Sequence, residues 1–231
     1  MPQEFYPHER RVLHGLLKRG YEPRVVYDIG ASTGIWSEVI ASVLPEAQYH
    51  LFEPLAAVAE EYKRDLPGRL ARLPNLTLHP VALGGANGKA DFYINANPYC
   101  SSLYDRGNIE DGKGRIEVEK YRLDDYQASA NLPLPDIIKI DCQGSEDVII
   151  RGGERAVRNA QVMFLETWFD RGLYGPDTPL IGEIIELLRP LGFSLVGIGE
   201  HFYDEKHRLY SVDAFFFAES LLENIWLPAE E

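Results

Sequence analysis

Apolar positions along this chain follow two alternating rhythms. Short runs of β-branched and aromatic residues give way to longer stretches in which apolar side chains recur every three to four positions, the pattern of an α/β domain. A helix is expected over residues 8–19, where Val12, Leu13, Leu16 and Leu17 share one face, Gly20 offers a left-handed stop and Pro23 keeps the helix from resuming. Val25-Val26-Tyr27 reads as a buried strand. From Gly34 to Pro45, the apolar residues Ile35, Trp36, Val39, Ile40, Val43 and Leu44 make an amphipathic helix that Pro45 ends. A strand near 48–53, a helix near 55–65 and a strand ending near His79 continue the alternation.

Between Gly84 and Leu123 the helical period disappears. Asp91-Phe92-Tyr93-Ile94 and Arg115-Ile116-Glu117-Val118 read there as short strands around a loop rich in Gly, Asn and Ser, a β-rich insertion where a parallel sheet would use a helix. Buried strands resume at 136–140, followed by a helix from about Ser145 and a strand at 162–165. Thr178 and Pro179 suit the start of a helix carrying Leu180, Ile181, Ile184, Ile185, Leu187 and Leu188. Strands at about 193–198 and 209–218 close the pattern.

The 231 residues suit one domain, 1–231, with the first helix inside 1–24 and the inserted β region at 84–123. Lys plus Arg number 23 against 36 Asp plus Glu, a formal charge of −13, and such a surface repels phosphate backbones and anionic headgroups. Neither nucleic acid nor a membrane is therefore an expected partner. Two cysteines, Cys100 and Cys142, are too few for a disulfide framework and stand in no zinc-ligand spacing. Met1-Pro2-Gln3-Glu4-Phe5 lacks the basic and apolar regions of a secretory signal, and no 18-residue apolar stretch occurs, so a cytoplasmic, soluble protein is expected. No oligomer seam is visible in the pattern.

The segment from Val25 to Ser37 runs from a buried strand through a glycine turn into a helix, the geometry of a cofactor pocket. A dinucleotide site asks for G-x-G-x-x-G, whereas Asp28, Gly30 and Gly34 give D-x-G-x-x-x-G. Asp28 at the strand's end would set a negative charge where a cationic amino-acid group sits, and S-adenosylmethionine carries one. Glu53 ends the second strand at the spacing of an acid that accepts hydrogen bonds from ribose hydroxyls. That feature serves NAD and S-adenosylmethionine equally, and with Pro54 behind it Glu53 also fits a cap on the next helix.

Taken together, Asp28-Ile29-Gly30-Ala31, Gly34, Trp36-Ser37, Phe52-Glu53-Pro54, Val81-Ala82-Leu83-Gly84, Ser101-Ser102-Leu103, Leu123-Asp124-Asp125-Tyr126 and Ile138-Lys139-Ile140-Asp141 with Gly144 and Glu146 resemble the FkbM family of S-adenosylmethionine-dependent methyltransferases, in the family's order over residues 25–153. The resemblance implies a class I methyltransferase Rossmann-like fold, a mostly parallel seven-stranded sheet with an antiparallel last strand, and transfer of a methyl group to an oxygen. It makes Asp28 a partner of the methionine moiety, Gly30 and Gly34 the turn beneath it, Glu53 the ribose acceptor and Ala82 a neighbour of the adenine. Ser32, Trp36, Ser37, Ser102 and Asp141 complete the implied cofactor set. The resemblance makes the inserted region a lid over the cofactor, with Asn95, Asn97, Tyr99, Ser101 and Ser102 available to an acceptor, whereas composition alone favours a solvated hairpin loop rich in turn formers. Two positions depart from the family pattern: Ser32 stands where Asn is common, and Gln143 where Glu is common.

Methyl transfer from a sulfonium is an in-line displacement, so the enzyme mainly aligns the accepting oxygen and excludes water. A hydroxyl becomes a good nucleophile when its proton leaves, which asks for a carboxylate, a histidine or a metal-bound oxygen. Asp141 and Glu166 at strand ends and His201 after the strand at 193–198 are the candidates. Glu166 is equally an acid paired with an arginine or capping a turn, and His201 a surface loop residue. Magnesium suits two such carboxylates, but acids on separate strands commonly stand without metal, and none is expected. Trp168, Phe169 and Tyr174 line an apolar acceptor pocket or belong to the core. The leading reading is O-methylation of a small molecule, a sugar or a secondary metabolite. A non-catalytic S-adenosylmethionine-binding module and an NAD-dependent oxidoreductase are the alternatives.

Overall fold

The computed structural model describes residues 5–105, 114–172 and 174–226. Residues 1–4, part of the segment read for a leader, and residues 106–113 of the inserted loop lie outside the described residues, as does Leu173. Ten strands form, β1 (Val25–Ile29), β2 (Gln48–Phe52), β3 (Leu76–His79), β4 (Ala82–Leu83), β5 (Gly88–Ile94), β6 (Gly114–Tyr121), β7 (Ile137–Ile140), β8 (Val162–Trp168), β9 (Phe193–Tyr203) and β10 (Leu209–Ala218). The main helices are α1 (Pro7–Leu17), α2 (Ile35–Ala41), α3 (Glu60–Arg72), α4 (Leu123–Ser129), α5 (Glu146–Gly152), α6 (Glu154–Asn159) and α7 (Ile181–Leu188).

Seven strands make one sheet in the order β3-β2-β1-β7-β8-β10-β9. Every pairing is parallel except those of β10, which runs antiparallel to both β8 and β9. The region after β3 forms a separate three-stranded sheet, β4-β6-β5, in which β5 and β6 contain the two strands read from the pattern and β4 is additional.

Side chains alternate across the sheet, and each face has its own helical cover. On one face Val25, Tyr27, Ile29, Ile138 and Ile140 pack with Ile149 and Ile150 of α5, Val157 of α6 and Ile184 and Leu188 of α7. On the other, Val26, Ile137, Val162 and Phe164 pack with Leu13 and Leu16 of α1 and Trp36 and Ile40 of α2. This double cover is why the central strands read as unbroken apolar runs. A third cluster, Leu55, Tyr62, Ala82, Phe92 and Val118, seats the small sheet beside α3. No helix among the described residues is long and apolar enough to cross a membrane.

Several elements depart from expectation: α2 ends at Ala41 rather than at Pro45, α7 starts at Ile181 behind Leu180 rather than at Thr178-Pro179, and three others differ more widely. The helix read at 55–65 begins only at Glu60, because the Glu53 carboxylate accepts from the Leu55 amide at 2.8 Å and holds the chain in a turn. It then continues past Pro67, a residue that breaks helices by removing a donor, to Arg72. Arg69 and Arg72 pair with Glu38 of α2 at 2.7 and 2.6 Å, which holds the turn beyond the proline in place. Helix α4 has no counterpart in the sequence reading; Asp124 in its first turn accepts from the amides of Arg155 and Ala156 and so ties it to α6. Strand β9 runs five residues beyond the expected end at 198, carried by its pairing with β10 as far as Tyr203.

Candidate active site

The site is assembled where the strands end. Gly30, just after β1, has φ 76, and its amide and that of Ala31 donate to the Phe52 carbonyl at 3.0 and 3.1 Å. A Cβ on Gly30 would lie 2.0 Å from the Asp141 carbonyl oxygen, so only glycine lets the ends of β1 and β7 approach this closely. Gly34 precedes α2 at φ 77, and Ser32 between the two glycines is itself left-handed at φ 54.

Strand register then decides the charges. Asp28 of β1 lies directly beside Lys139 of β7. The Lys139 Nζ is 3.3 Å from Asp28 Oδ1 and 3.4 Å from Asp141 Oδ2, and it donates to the Gly30 carbonyl at 2.9 Å. The ammonium thus donates one hydrogen bond to a carbonyl and lies at ion-pair distance from two carboxylates. Burial alone would push Lys139 down, but the carboxylates of Asp28 and Asp141 overcome it and hold the ammonium well above the ordinary lysine value. Asp28 is fully buried, and its Oδ2 accepts from Ser37 Oγ at 2.6 Å.

A cavity of about 370 Å³ opens above this layer. Of the residues expected to bind the cofactor or act in catalysis, Gly30, Ser32, Trp36, Glu53, Ala82, Asp141 and Glu166 line it. Asp28 and Ser37 do not; they form the layer beneath, where Asp28 spends its charge on Lys139 rather than on a ligand. Gly34 is also set back, against Leu51 and Leu66. Ser102 donates from Oγ to the Gln143 carbonyl at 2.8 Å, and so ties the inserted region to the loop after β7 instead of lining the cavity. His201 is exposed on β9 rather than in a loop. Successive strand residues point to opposite faces, and Phe202 takes the side that lines the cavity, which leaves His201 outside it.

Glu53 does not cap the next helix, which begins at Glu60 behind Ala59. Its two oxygens accept from the Ser32 and Leu55 amides, each at 2.8 Å, so it secures the turn, and it also faces the cavity. Burial pushes its carboxyl up to about 7 in spite of the two amides. Each oxygen keeps a lone pair for a further donor.

Asp141 and Glu166 meet through Gln143, whose Nε2 lies 2.7 Å from Asp141 Oδ1 and 2.6 Å from Glu166 Oε2. Among the described residues no arginine pairs with Glu166; Ser211 Oγ is 3.5 Å from its other oxygen. Burial, then the charges of Asp141 and Glu146, push the Glu166 carboxyl well above the usual carboxylate range. Asp213, its register partner on β10, is pushed up to about 8 by burial and by Glu9 and Asp141. Glu146 folds back from α5 to accept from the Cys142 and Gly144 amides at 3.1 Å, fixing the loop that carries Gln143. Trp168 and Tyr174 line the cavity, whereas Phe169 is exposed and does not.

Sequence reasoning gave no role to Lys139, although it is the one charged residue in an otherwise apolar strand, a signal that was present. Tyr6, at the start of α1, and Tyr62, on α3, also reach the cavity from elements assigned only to packing.

A mostly parallel seven-stranded sheet with one antiparallel strand, a glycine turn after β1 and a cavity at the strand ends define the class I methyltransferase fold. Residues 28–195 match the Methyltransferase FkbM domain, and the chain belongs to that family. It is 29% identical over 177 residues to the 2-O-methyltransferase NoeI of Sinorhizobium fredii, covering 71% of this chain and 70% of that one. It is 22% identical to the hexuronic acid methyltransferase AglP of Haloferax volcanii, over 68% of this chain and 62% of the relative. Among solved structures, the FkbM methyltransferase from Methylobacillus flagellatus KT has a TM-score of 0.53 at 17% identity, covering 85% of this chain and 44% of its own. Magnesium protoporphyrin IX methyltransferase from Synechocystis PCC 6803 with bound S-adenosylhomocysteine has a TM-score of 0.50 at 14% identity, over 90% of this chain and 80% of its own.

The protein is thus an S-adenosylmethionine-dependent methyltransferase, which sets aside the NAD alternative. Its own residues fit that cofactor. Glu53 offers buried carboxylate lone pairs for ribose hydroxyls, Leu55, Val81, Ala82 and Phe92 an apolar wall for adenine, and Asp141 a negative oxygen for the cationic methionine end.

Proposed function

We propose that the chain acts as a single methyltransferase domain that methylates a hydroxyl oxygen of a small, uncharged acceptor, a sugar or secondary metabolite. The observation that carries this reading is the pair Asp141 and Glu166, joined at the cavity by one amide and set in different surroundings. Asp141 has the Lys139 ammonium beside it, whereas Glu166 is buried among other acids. Two carboxyls whose environments diverge divide the work of proton acceptor and hydrogen-bond donor. The printed name of NoeI, a 2-O-methyltransferase, supports an oxygen acceptor, and that of AglP, a hexuronic acid methyltransferase, supports a sugar.

The bound cofactor supplies an electrophilic methyl group on a sulfonium. Asp141, at the end of β7, orients the acceptor hydroxyl and takes its proton as the oxygen becomes bonded to carbon. Glu166, whose carboxyl burial raises well above the usual range, faces the cavity beside Asp141 and steadies the acceptor. Trp168, Tyr174, Tyr210 and Phe202 form an aromatic wall that excludes water on that side. Lys139 is the only lysine or arginine among the described residues that line the cavity, and its charge is already paired with Asp28 and Asp141. An anionic acceptor would find no free cation there, which favours an uncharged one. The inserted sheet serves as the lid, with Pro98, Tyr99, Ser101 and Leu103 facing the cavity.

The test is transfer of labelled methyl from S-adenosylmethionine to a panel of neutral sugars, uronic acids and phenols, with Asp141→Asn as control. Label on a neutral hydroxyl that Asp141→Asn abolishes supports the reading; labelled nitrogen or carboxylate products would overturn it.

A further inference from the structure

Gln143 stands where three parts of the molecule meet, and the proton transfer outlined above gives it no task. Its backbone is left-handed at φ 58 and Gly144 follows at φ 105, so the chain turns sharply after β7 and sends the Gln143 side chain back over the strand ends. Its carbonyl accepts from Ser102 Oγ of the inserted region. The Tyr174 hydroxyl, from the loop after β8, lies against both Gln143 Oε1 and the Cys100 carbonyl, the latter at 3.3 Å. Both amide protons of Gln143 point at carboxylates, one at Asp141 and one at Glu166. A reversed amide would set an oxygen against the Asp141 carboxylate, so Asp141 and the Tyr174 hydroxyl together fix which way the amide faces.

The groups around Glu166 show why this matters. Asp141 approaches from β7, Glu146 from α5 and Asp213 from β10, with the Lys139 ammonium placed beyond Asp141. Ser211 of β10 adds only a long contact. The two acids also share a side-chain hydrogen bond of their own, and the neutral Gln143 amide adds one N–H donor to each.

We propose that Gln143 is a positioning residue for methyl transfer: its amide, aimed by Tyr174, holds Asp141 and Glu166 as one rigid pair on which the acceptor hydroxyl is aligned. The proposal rests on the O-methyl-transfer reading, and its test is read without the acceptor. The full chain is labelled with 13C at glutamate carboxyls, the Glu166 signal is assigned with Glu166→Gln, and its titration is followed by NMR. Gln143→Met keeps the length of the side chain and removes both donors. Loss of a donor disfavours the ionised form, so the Glu166 midpoint rises by about one unit or more, roughly a tenfold weaker acid. Tyr174→Phe raises it by less, because the amide keeps its donors and loses only its aim. S-adenosylhomocysteine, titrated by calorimetry in parallel, binds both variants within about threefold of the parent.

A Glu166 midpoint unchanged in Gln143→Met refutes the positioning role. Should Gln143→Met fail to fold, an unchanged midpoint in Tyr174→Phe refutes it instead. Failure of the unaltered chain to bind S-adenosylhomocysteine is a different result: it overturns the methyl-transfer reading, and with it the task assigned to Gln143.

Discussion

Replacing Lys139 by methionine removes the one cation that holds the floor of the site together. Its Nζ lies 3.3 Å from Asp28 and 3.4 Å from Asp141, with Asp28 fully buried and the lysine side chain 10% exposed. Breaking a buried ion pair by deleting one partner costs about 3–5 kcal/mol, because the remaining charge is stranded. A second route gives the same ceiling. An aspartate of ordinary acidity, about 3.9, costs roughly 4 kcal/mol to protonate at pH 7 and only about 1.5 kcal/mol at pH 5. Lys139→Met is therefore expected to lose about 4 kcal/mol at pH 7, and its deficit relative to the parent should shrink by roughly 2–3 kcal/mol at pH 5. The sign follows from linkage: with Asp28 stranded its folded-state affinity for a proton rises, so the deficit grows as pH climbs above the unfolded value. Urea unfolding of parent and variant at both pH values reads the difference directly. The double variant Lys139→Met with Asp28→Asn, which removes both charges, should recover most of the loss. A deficit below about 1 kcal/mol at pH 7, or one that is the same at pH 5, would refute the assignment of Lys139 as the charge that Asp28 requires.

The other expectations concern single carboxylates. Asp141→Asn should lower methyl transfer by about 10²–10⁴-fold and, because Asp141 also faces the cationic methionine end, should weaken S-adenosylhomocysteine binding as well, measured by label transfer and calorimetry. Glu53, whose carboxyl titrates at about 7, accepts ribose hydroxyls better when ionised, so cofactor affinity should rise between pH 6 and 8 in the parent and stay flat in Glu53→Gln. Asp213, raised to about 8 in the folded state, gives stability that is full below the unfolded carboxylate value and is lost as pH rises through 8. Thermal unfolding between pH 5 and 8 should accordingly show a decline that Asp213→Asn flattens.

The architecture was legible because the central sheet is covered on both faces. Val25 to Ile29 and Ile137 to Ile140 are almost unbroken apolar runs for that reason, and the glycine spacing around Gly30 and Gly34 marks the turn between strand and helix. The partner of Asp28 was not legible. Asp28 and Lys139 become neighbours only through strand register, and register between distant parallel strands leaves no trace in either segment. His201 illustrates the opposite error: placing it in a loop depended on where β9 ends, and that is set by β10 rather than by the residues of β9 itself. The aromatic wall, drawn from β8, the loop after it, β9 and β10, is scattered over the last third of the chain and acquires meaning only in the folded molecule. Gln143 stood out in the sequence by departing from its family, but its bridging geometry depends on a left-handed backbone that no periodicity announces.

The most direct measurement is calorimetric titration of the unaltered chain with S-adenosylhomocysteine, with NAD as control. Micromolar binding of S-adenosylhomocysteine and none of NAD is expected from the Glu53 and Asp141 cavity. Silence toward S-adenosylhomocysteine, or comparable binding of NAD, would contradict the assignment of that cavity as the methyl-donor site.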